Sequence, residues 1–222
     1  NPLLSQMVVY AARQMEDEAR AVGAKGINLV GICCTGNEVL MREGVPTATN
    51  FASQELAIMT GALDLMVVDV QCIAPAVKSM CDCFHTKLVT TSHISKIPGS
   101  IHIDFKEATA MEDAKKIVRL AIEQYKNRNH EAVRIPRYKK QVVGGFSLEA
   151  MKDLFGKINP EAPFKVLTDA ILSGQIKGVC AMVGCNNQRV VHDNSMLTIA
   201  KELAKNNVFL VATGCAAGAF AK

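Results

Sequence analysis

The 222-residue sequence has no tryptophan, only 5% aromatic residues, and no apolar run approaching the roughly 18 residues of a membrane-spanning helix. Gly, Asp, Lys or Arg interrupts every hydrophobic stretch, so a soluble protein without a membrane span is expected. The net charge is only +4, and no aromatic residues are interleaved with the basic ones, which leaves no footprint for nucleic-acid binding. Neither G-x-G-x-x-G nor G-x-x-x-x-G-K-[ST] occurs, which argues against nucleotide chemistry. There is no heptad, low-complexity tract or short repeat. No charged and then apolar leader is present, and the first residues are Asn1-Pro2 without a methionine, so a cut or processed start is expected. Residues 216–222 read as the opening turns of a helix and suggest an equally abrupt end. Cysteine is sparse, eight in 222, too few for a disulfide scaffold. A reducing, cytoplasmic setting is expected, with thiols that are either core residues or metal ligands.

What is present is ordinary globular composition, 49% hydrophobic and 21% charged, which excludes intrinsic disorder. Apolar residues from Leu4 to Ala19 recur at helical spacing, with Pro2 in the first turn and Gly23 past the end, and predict one amphipathic helix. Buried strands are predicted at 26–32, 65–70, 87–91 and 101–104, with helices at 36–43, 51–62, 74–83 and 110–126. This alternation predicts an α/β fold, a parallel sheet covered on both faces. Between 127 and 145 the pattern dissolves into polar and basic residues with Pro136 and the pair Gly144-Gly145, a candidate linker. A second unit then follows, with helices at 148–155, 164–173 and 195–205 and strands at 178–183 and 208–212.

Four times an apolar strand ends and a cysteine follows within two residues: Cys33-Cys34 after Ile32, Cys72 after Val70, Cys185 after Val183 and Cys215 after Thr213. Ligands of open parallel sheets bind at the carboxyl ends of strands, so these thiols fall on the edge where sites are built. Glycines 31, 184 and 214 allow sharp turns there, and following helices can direct N-terminal amides at the sulfurs. Without a C-x-x-C knuckle a zinc ribbon is disfavoured. Dispersed thiolates suit an iron–sulfur cluster, around which sulfurs must be distributed. The rival reading is a metal-free α/β binding or scaffold fragment whose cysteines merely pack as small hydrophobes.

The segments Gly31-Ile-Cys-Cys-Thr-Gly-Asn-Glu38, Val68-Asp-Val-Gln-Cys-Ile73, Val183-Gly-Cys-Asn-Asn187 and Val211-Ala-Thr-Gly-Cys215 resemble the anaerobic nickel–iron carbon monoxide dehydrogenase family, as do 49–69, 145–150 and 201–212. The related hybrid-cluster proteins match these blocks less well. The resemblance spans essentially the whole chain. It implies a Rossmann-like architecture, one complete unit (1–130) and the start of a second (131–222), each carrying two cluster cysteines. It further implies a nickel–iron–sulfur cluster, with Cys34 on a pendant iron and Cys72, Cys185 and Cys215 holding the core. The implied reaction oxidises carbon monoxide with water to carbon dioxide, reversibly. Two electrons pass through further iron–sulfur clusters, outside this chain, to a ferredoxin-type carrier. A homodimer, in some members docked to an acetyl-CoA synthase subunit, is implied as well. By the same resemblance a histidine ligand precedes Asn1, and a nickel-binding cysteine and a catalytic lysine follow residue 222. No catalytic residue set is therefore complete in this chain, and it is expected to be inactive by itself.

Asn37, Glu38, Asn186 and Asn187 directly follow candidate ligands and are candidates either to orient them or to cap their loops. Cys33 is expected to pack in the core, Cys180 to lie inside a buried strand, and Cys81, Cys83 and His85 to close a helix and enter a strand rather than bind metal. His93, His102, His130 and His192 are expected at structural or surface positions, and Glu16-Asp17-Glu18 on a solvated helix face. Arg134, Arg137, Lys139 and Lys140 are read as solvated linker, with docking of an acidic ferredoxin as the rival.

Overall fold

Residues 65–68 show how the chain builds a sheet with two covered faces, because successive side chains of a strand point to opposite sides. Leu65 and Val67 pack with Val89, Leu4 and Ile117, whereas Met66 and Val68 pack with Ile58, Val77, Cys81 and Leu88. The computed structural model describes residues 1–143 and 145–221, and all their side chains except those at 37, 38, 40 and 41. Two compact units are present, divided between Tyr138 and Lys139. Gly144 of the candidate linker falls outside the described residues.

The first unit runs α1 (Pro2–Gln14), α2 (Glu16–Ala21), β1 (Gly31–Ile32), α3 (Cys33–Glu43), β2 (Thr47–Thr49), α4 (Gln54–Met59), β3 (Leu65–Val68), α5 (Val77–Asp82), β4 (Lys87–Thr90), β5 (Ile101–His102) and α6 (Ala110–Tyr125). Strands β3, β4 and β5 form a parallel sheet in that order, in register from Leu65 opposite Lys87 to Val68 opposite Thr90. Helices α1 and α6 cover one face and α4 and α5 the other. Ala11, Ala12, Met15 and Ala19 meet Ala114, Val118 and Ile122 of α6, and the alanines among them let the helices approach closely. Each fully buried valine, leucine or isoleucine contributes about 1.5–3 kcal/mol relative to exposure.

Three expectations are corrected here. The predicted first helix is interrupted at Met15, whose N–H is shared between the Ala11 and Ala12 carbonyls while its side chain is buried in the core. The predicted strand 26–32 pairs only at Gly31–Ile32, because Ile27 and Leu29 pack against the helix cluster instead of entering a ladder. Its partner β2, a parallel strand of three residues, carries no hydrophobic pattern in the sequence.

The second unit contains α7 (Leu148–Gly156), α8 (Lys165–Leu172), β6 (Gly178–Met182), α9 (Asn194–Lys205), β7 (Val208–Ala212) and α10 (Gly214–Ala221). β6 and β7 are parallel and paired along their full length. No further strand joins them among the described residues, and Val179 is 59% exposed. Cys180, expected in the core, is accordingly only half-buried. Among the described residues no helix is long and apolar enough to cross a membrane.

Asp113, in the first turn of α6, is 4% exposed and accepts hydrogen bonds from the Thr109 hydroxyl at 2.6 Å and the Lys116 ammonium at 2.9 Å. Burial works against its charged form, but these bonds outweigh it and hold the carboxyl below its usual value of 3.8. Asp113→Ala should cost about 1–3 kcal/mol in denaturant unfolding. The contribution of Asp113 should be present above pH 3.8 and vanish as the pH falls through the lowered value, so the loss should be absent in strong acid.

Candidate metal centre

At each strand end the chain must turn sharply, and in all four cases a residue at or just before the candidate ligand adopts positive φ. Cys33 (φ 59°) precedes Cys34, Cys72 itself has φ 59°, and Gly184 (φ 126°) and Gly214 (φ 64°) precede Cys185 and Cys215. Glycine enters this region freely, whereas an L-residue pays for it, so Cys33 and Cys72 are held there by their surroundings.

For Cys34 the restraint is a backbone contact. A Cβ on Gly31 would lie 2.2 Å from the Gly36 Cα, and one on Gly36 would lie 2.6 Å from the Gly31 carbonyl carbon. Only a glycine pair lets the chain close on itself across Cys33, Cys34 and Thr35. Cys33 is buried, Cys34 is half-buried, and both open α3. Ile32, just before them, packs against the Met66 and Val68 face of the sheet, the strand that leads to Cys72. Cys72 is half-buried, and its carbonyl accepts a hydrogen bond at 2.9 Å from the buried side chain of Gln54.

In the second unit Cys185 is exposed and Cys215 is buried in the first turn of α10. Asn186 is 8% exposed and closes a ring with Asp193: its Nδ2 donates to the Asp193 carboxylate, and its Oδ1 accepts from the Asp193 N–H, both at 2.8 Å. Asn187 accepts from the Arg189 N–H at 2.9 Å. Both amides thus act here in capping the loop that follows Cys185. The side chains of Asn37 and Glu38 lie outside the described residues.

Cys81, Cys83 and His85 are not brought together. Cys81 is buried against the sheet, Cys83 is exposed at the end of α5, and His85 Nε2 lies 2.9 Å from the Asp64 carboxylate, which also accepts from Arg128 Nε at 3.0 Å. Burial, followed by the neighbouring Asp82 carboxylate, pushes the Cys81 thiol from 9.0 up to about 11. His102 bonds the Thr90 hydroxyl, His130 packs edge-on to Tyr125, His192 lies beside Asp193, and His93 opens a short 3-10 turn. Arg134, Arg137, Lys139 and Lys140 are exposed on irregular chain. Gln54, the Gly31–Gly36 contact and the Asp64–His85–Arg128 network escaped sequence reasoning, since each depends on residues distant in sequence or on backbone proximity.

Among the described residues no three His, Cys, Asp or Glu side chains are grouped to hold a single metal ion, and no disulfide forms. Each unit supplies two of the four strand-end thiols.

These features define a parallel α/β protein with cysteines at the carboxyl ends of its strands. Residues 1–222 match the Prismane/CO dehydrogenase family, and the chain belongs to it. It is 57% identical over 224 residues to the carbon monoxide dehydrogenase/acetyl-CoA synthase subunit beta of Moorella thermoacetica, covering 100% of this chain and 33% of the relative. Among solved structures, carbon monoxide dehydrogenase IV from Carboxydothermus hydrogenoformans superposes with a TM-score of 0.90 at 59% identity, over 99% of this chain and 35% of the other. A structure of acetyl-CoA synthase/carbon monoxide dehydrogenase, described with NiZn[Fe4S4] and NiNi[Fe4S4] clusters in its alpha subunits, matches with a TM-score of 0.90 at 57% identity, over 100% of this chain and 33% of the other. The chain thus spans about a third of the length of the curated relatives it matches.

Two outcomes follow from this geometry. Gly31→Ala should cost about 3 kcal/mol or more in thermal or denaturant unfolding, because the added methyl meets backbone that has no room to yield. Iodoacetamide near neutral pH should modify Cys83 and spare Cys81 in peptide mass spectrometry. Because the Cys81 value is raised by folding, its contribution to stability should be whole below pH 9 and decline between about pH 9 and about pH 11.

Proposed function

We propose that the chain is part of a nickel–iron–sulfur oxidoreductase that interconverts carbon monoxide with water and carbon dioxide, exchanging two electrons with a ferredoxin-type carrier. The observation that carries this reading is the recurrence of one local design, a parallel strand, a left-handed backbone turn and a thiol, at Cys34, Cys72, Cys185 and Cys215. Membership of the Prismane/CO dehydrogenase family and the names of the similar proteins support it. In this reading Cys34 would hold a pendant iron, and Cys72, Cys185 and Cys215 the iron–sulfur core. Bound there, the nickel–iron–sulfur group would supply Lewis acidity, water activation and storage of the electron pair.

The chain's own contribution is to fix the ligands. The Gly31–Gly36 contact and the first turn of α3 set Cys34, while the Asn186–Asp193 ring braces the chain that leaves Cys185. We further infer a cytoplasmic homodimer and, given the bifunctional relative, association with an acetyl-CoA synthase subunit.

Elemental analysis of the strictly anaerobic full-length protein should find several irons per chain, accompanied by nickel. Cys72→Ala, Cys185→Ala and Cys215→Ala should each lose most of that iron, whereas Cys81→Ala should retain it. Iron loss confined to the Cys81 variant would overturn this ligand assignment, whereas a colourless protein without iron in its fully assembled form would replace the cluster with a metal-free scaffold.

A further inference from the structure

The loop between β3 and α5 leaves the sheet and has no ladder partner of its own, yet it carries Cys72 in a backbone conformation that an L-residue enters only at a cost. Something must hold it there. Gln54, the first residue of α4, has no exposed surface. Its carboxamide is bonded at both atoms: Nε2 donates to the Cys72 carbonyl at 2.9 Å and to the Phe51 carbonyl at 3.1 Å, and Oε1 accepts from the Ala74 N–H at 3.4 Å. One side chain thereby engages the two backbone groups that flank Ile73, as a neighbouring strand would.

We propose that Gln54 is a positioning residue for Cys72, acting through the backbone of the loop rather than on the metal centre itself. The anchor is firm. The Asn50 side chain caps the turn Phe51–Ser53 by accepting from the Ala52 N–H at 3.0 Å, and α4 is fixed to the core by Ile58, which is wholly buried. Gln54 thus transmits the position of α4 to the Cys72 carbonyl. The chemistry selects a neutral amide. Glutamate has the same length but would set an anion against two carbonyl oxygens. Leucine has similar bulk but would leave the Cys72 carbonyl and the Ala74 N–H without this buried partner.

The inference rests on Cys72 being a cluster ligand, and its test separates the two claims. Gln54→Leu, Gln54→Glu, Cys72→Ala and Asp113→Asn would be made in the full-length protein and compared anaerobically for iron content, the electron paramagnetic resonance spectrum and midpoint potential of the cluster, and thermal stability. The Cys72 alkylation rate would be measured on protein purified without metal. Gln54→Leu should change the spectrum and potential and raise the Cys72 alkylation rate by about tenfold, as expected when a buried hydrogen-bonded loop is released. Asp113→Asn, which weakens the same unit away from this loop, should lower stability without moving any of these three readouts. If Gln54→Leu does not fold, Gln54→Glu carries the test with the volume preserved. A Gln54 variant with wild-type spectrum, potential and alkylation rate, changed only in stability like Asp113→Asn, overturns the positioning role. Retention of iron and an unaltered spectrum by Cys72→Ala overturns the ligand reading instead.

Discussion

The structure depends on what a parallel strand requires at its carboxyl end. The chain has to leave the sheet abruptly and return by a crossover, and L-residues resist the left-handed backbone that the sharpest exits use. The second unit meets this requirement with glycine, at Gly184 and Gly214, just before each cysteine. The first unit places cysteines themselves, Cys33 and Cys72, in that region. Left-handed conformation costs an L-residue about 1–2 kcal/mol, so those two turns persist only because neighbouring groups hold them. The Gly31–Gly36 contact does so at the first turn and the Gln54 carboxamide at the second.

Those restraints would be useless on a soft foundation. The sheet β3–β4–β5 is sandwiched between α1 with α6 and α4 with α5, and the alternation along 65–68 commits each strand to both layers at once. Gln54 and Ile58 lie on the same short helix, so the packing that fixes α4 also fixes the carboxamide that reaches Cys72. Stability and the placement of Cys72 are in this way linked through a single element. The second unit is braced differently, by the buried Asn186–Asp193 ring, and much of its apolar strand surface is exposed.

The long periodic segments were legible in the sequence. Helix α6 and strands β3, β4, β6 and β7 lie where alternation and helical spacing put them, because apolar period directly reflects which side of an element is buried. Strand β2 was invisible, since Thr-Ala-Thr carries no hydrophobic pattern, and the break at Met15 was hidden because the apolar spacing continues through it. Cys180 was assigned to a core on the assumption that both faces of its strand are covered, which the two-strand sheet does not provide. The four strand-end cysteines stand out in the sequence as candidate ligands because their placement repeats. Gln54 was not, for a glutamine at the start of a helix looks like any solvated helix residue.

By itself the sequence determined the α/β class, the places of the long strands and helices, and the family to which its cysteine blocks point. All of these are written in local pattern and composition. Only the tertiary structure decided which thiol is buried, which turns are strained, and which distant groups hold them. Cys81 is buried against the sheet with its thiol pushed up to about 11, and the Gln54 side chain bonds a carbonyl 18 residues away from its own position. The reason is that hydrogen bonds and close backbone contacts between remote segments arise from packing geometry, and packing leaves no periodic signal in the residues that it brings together.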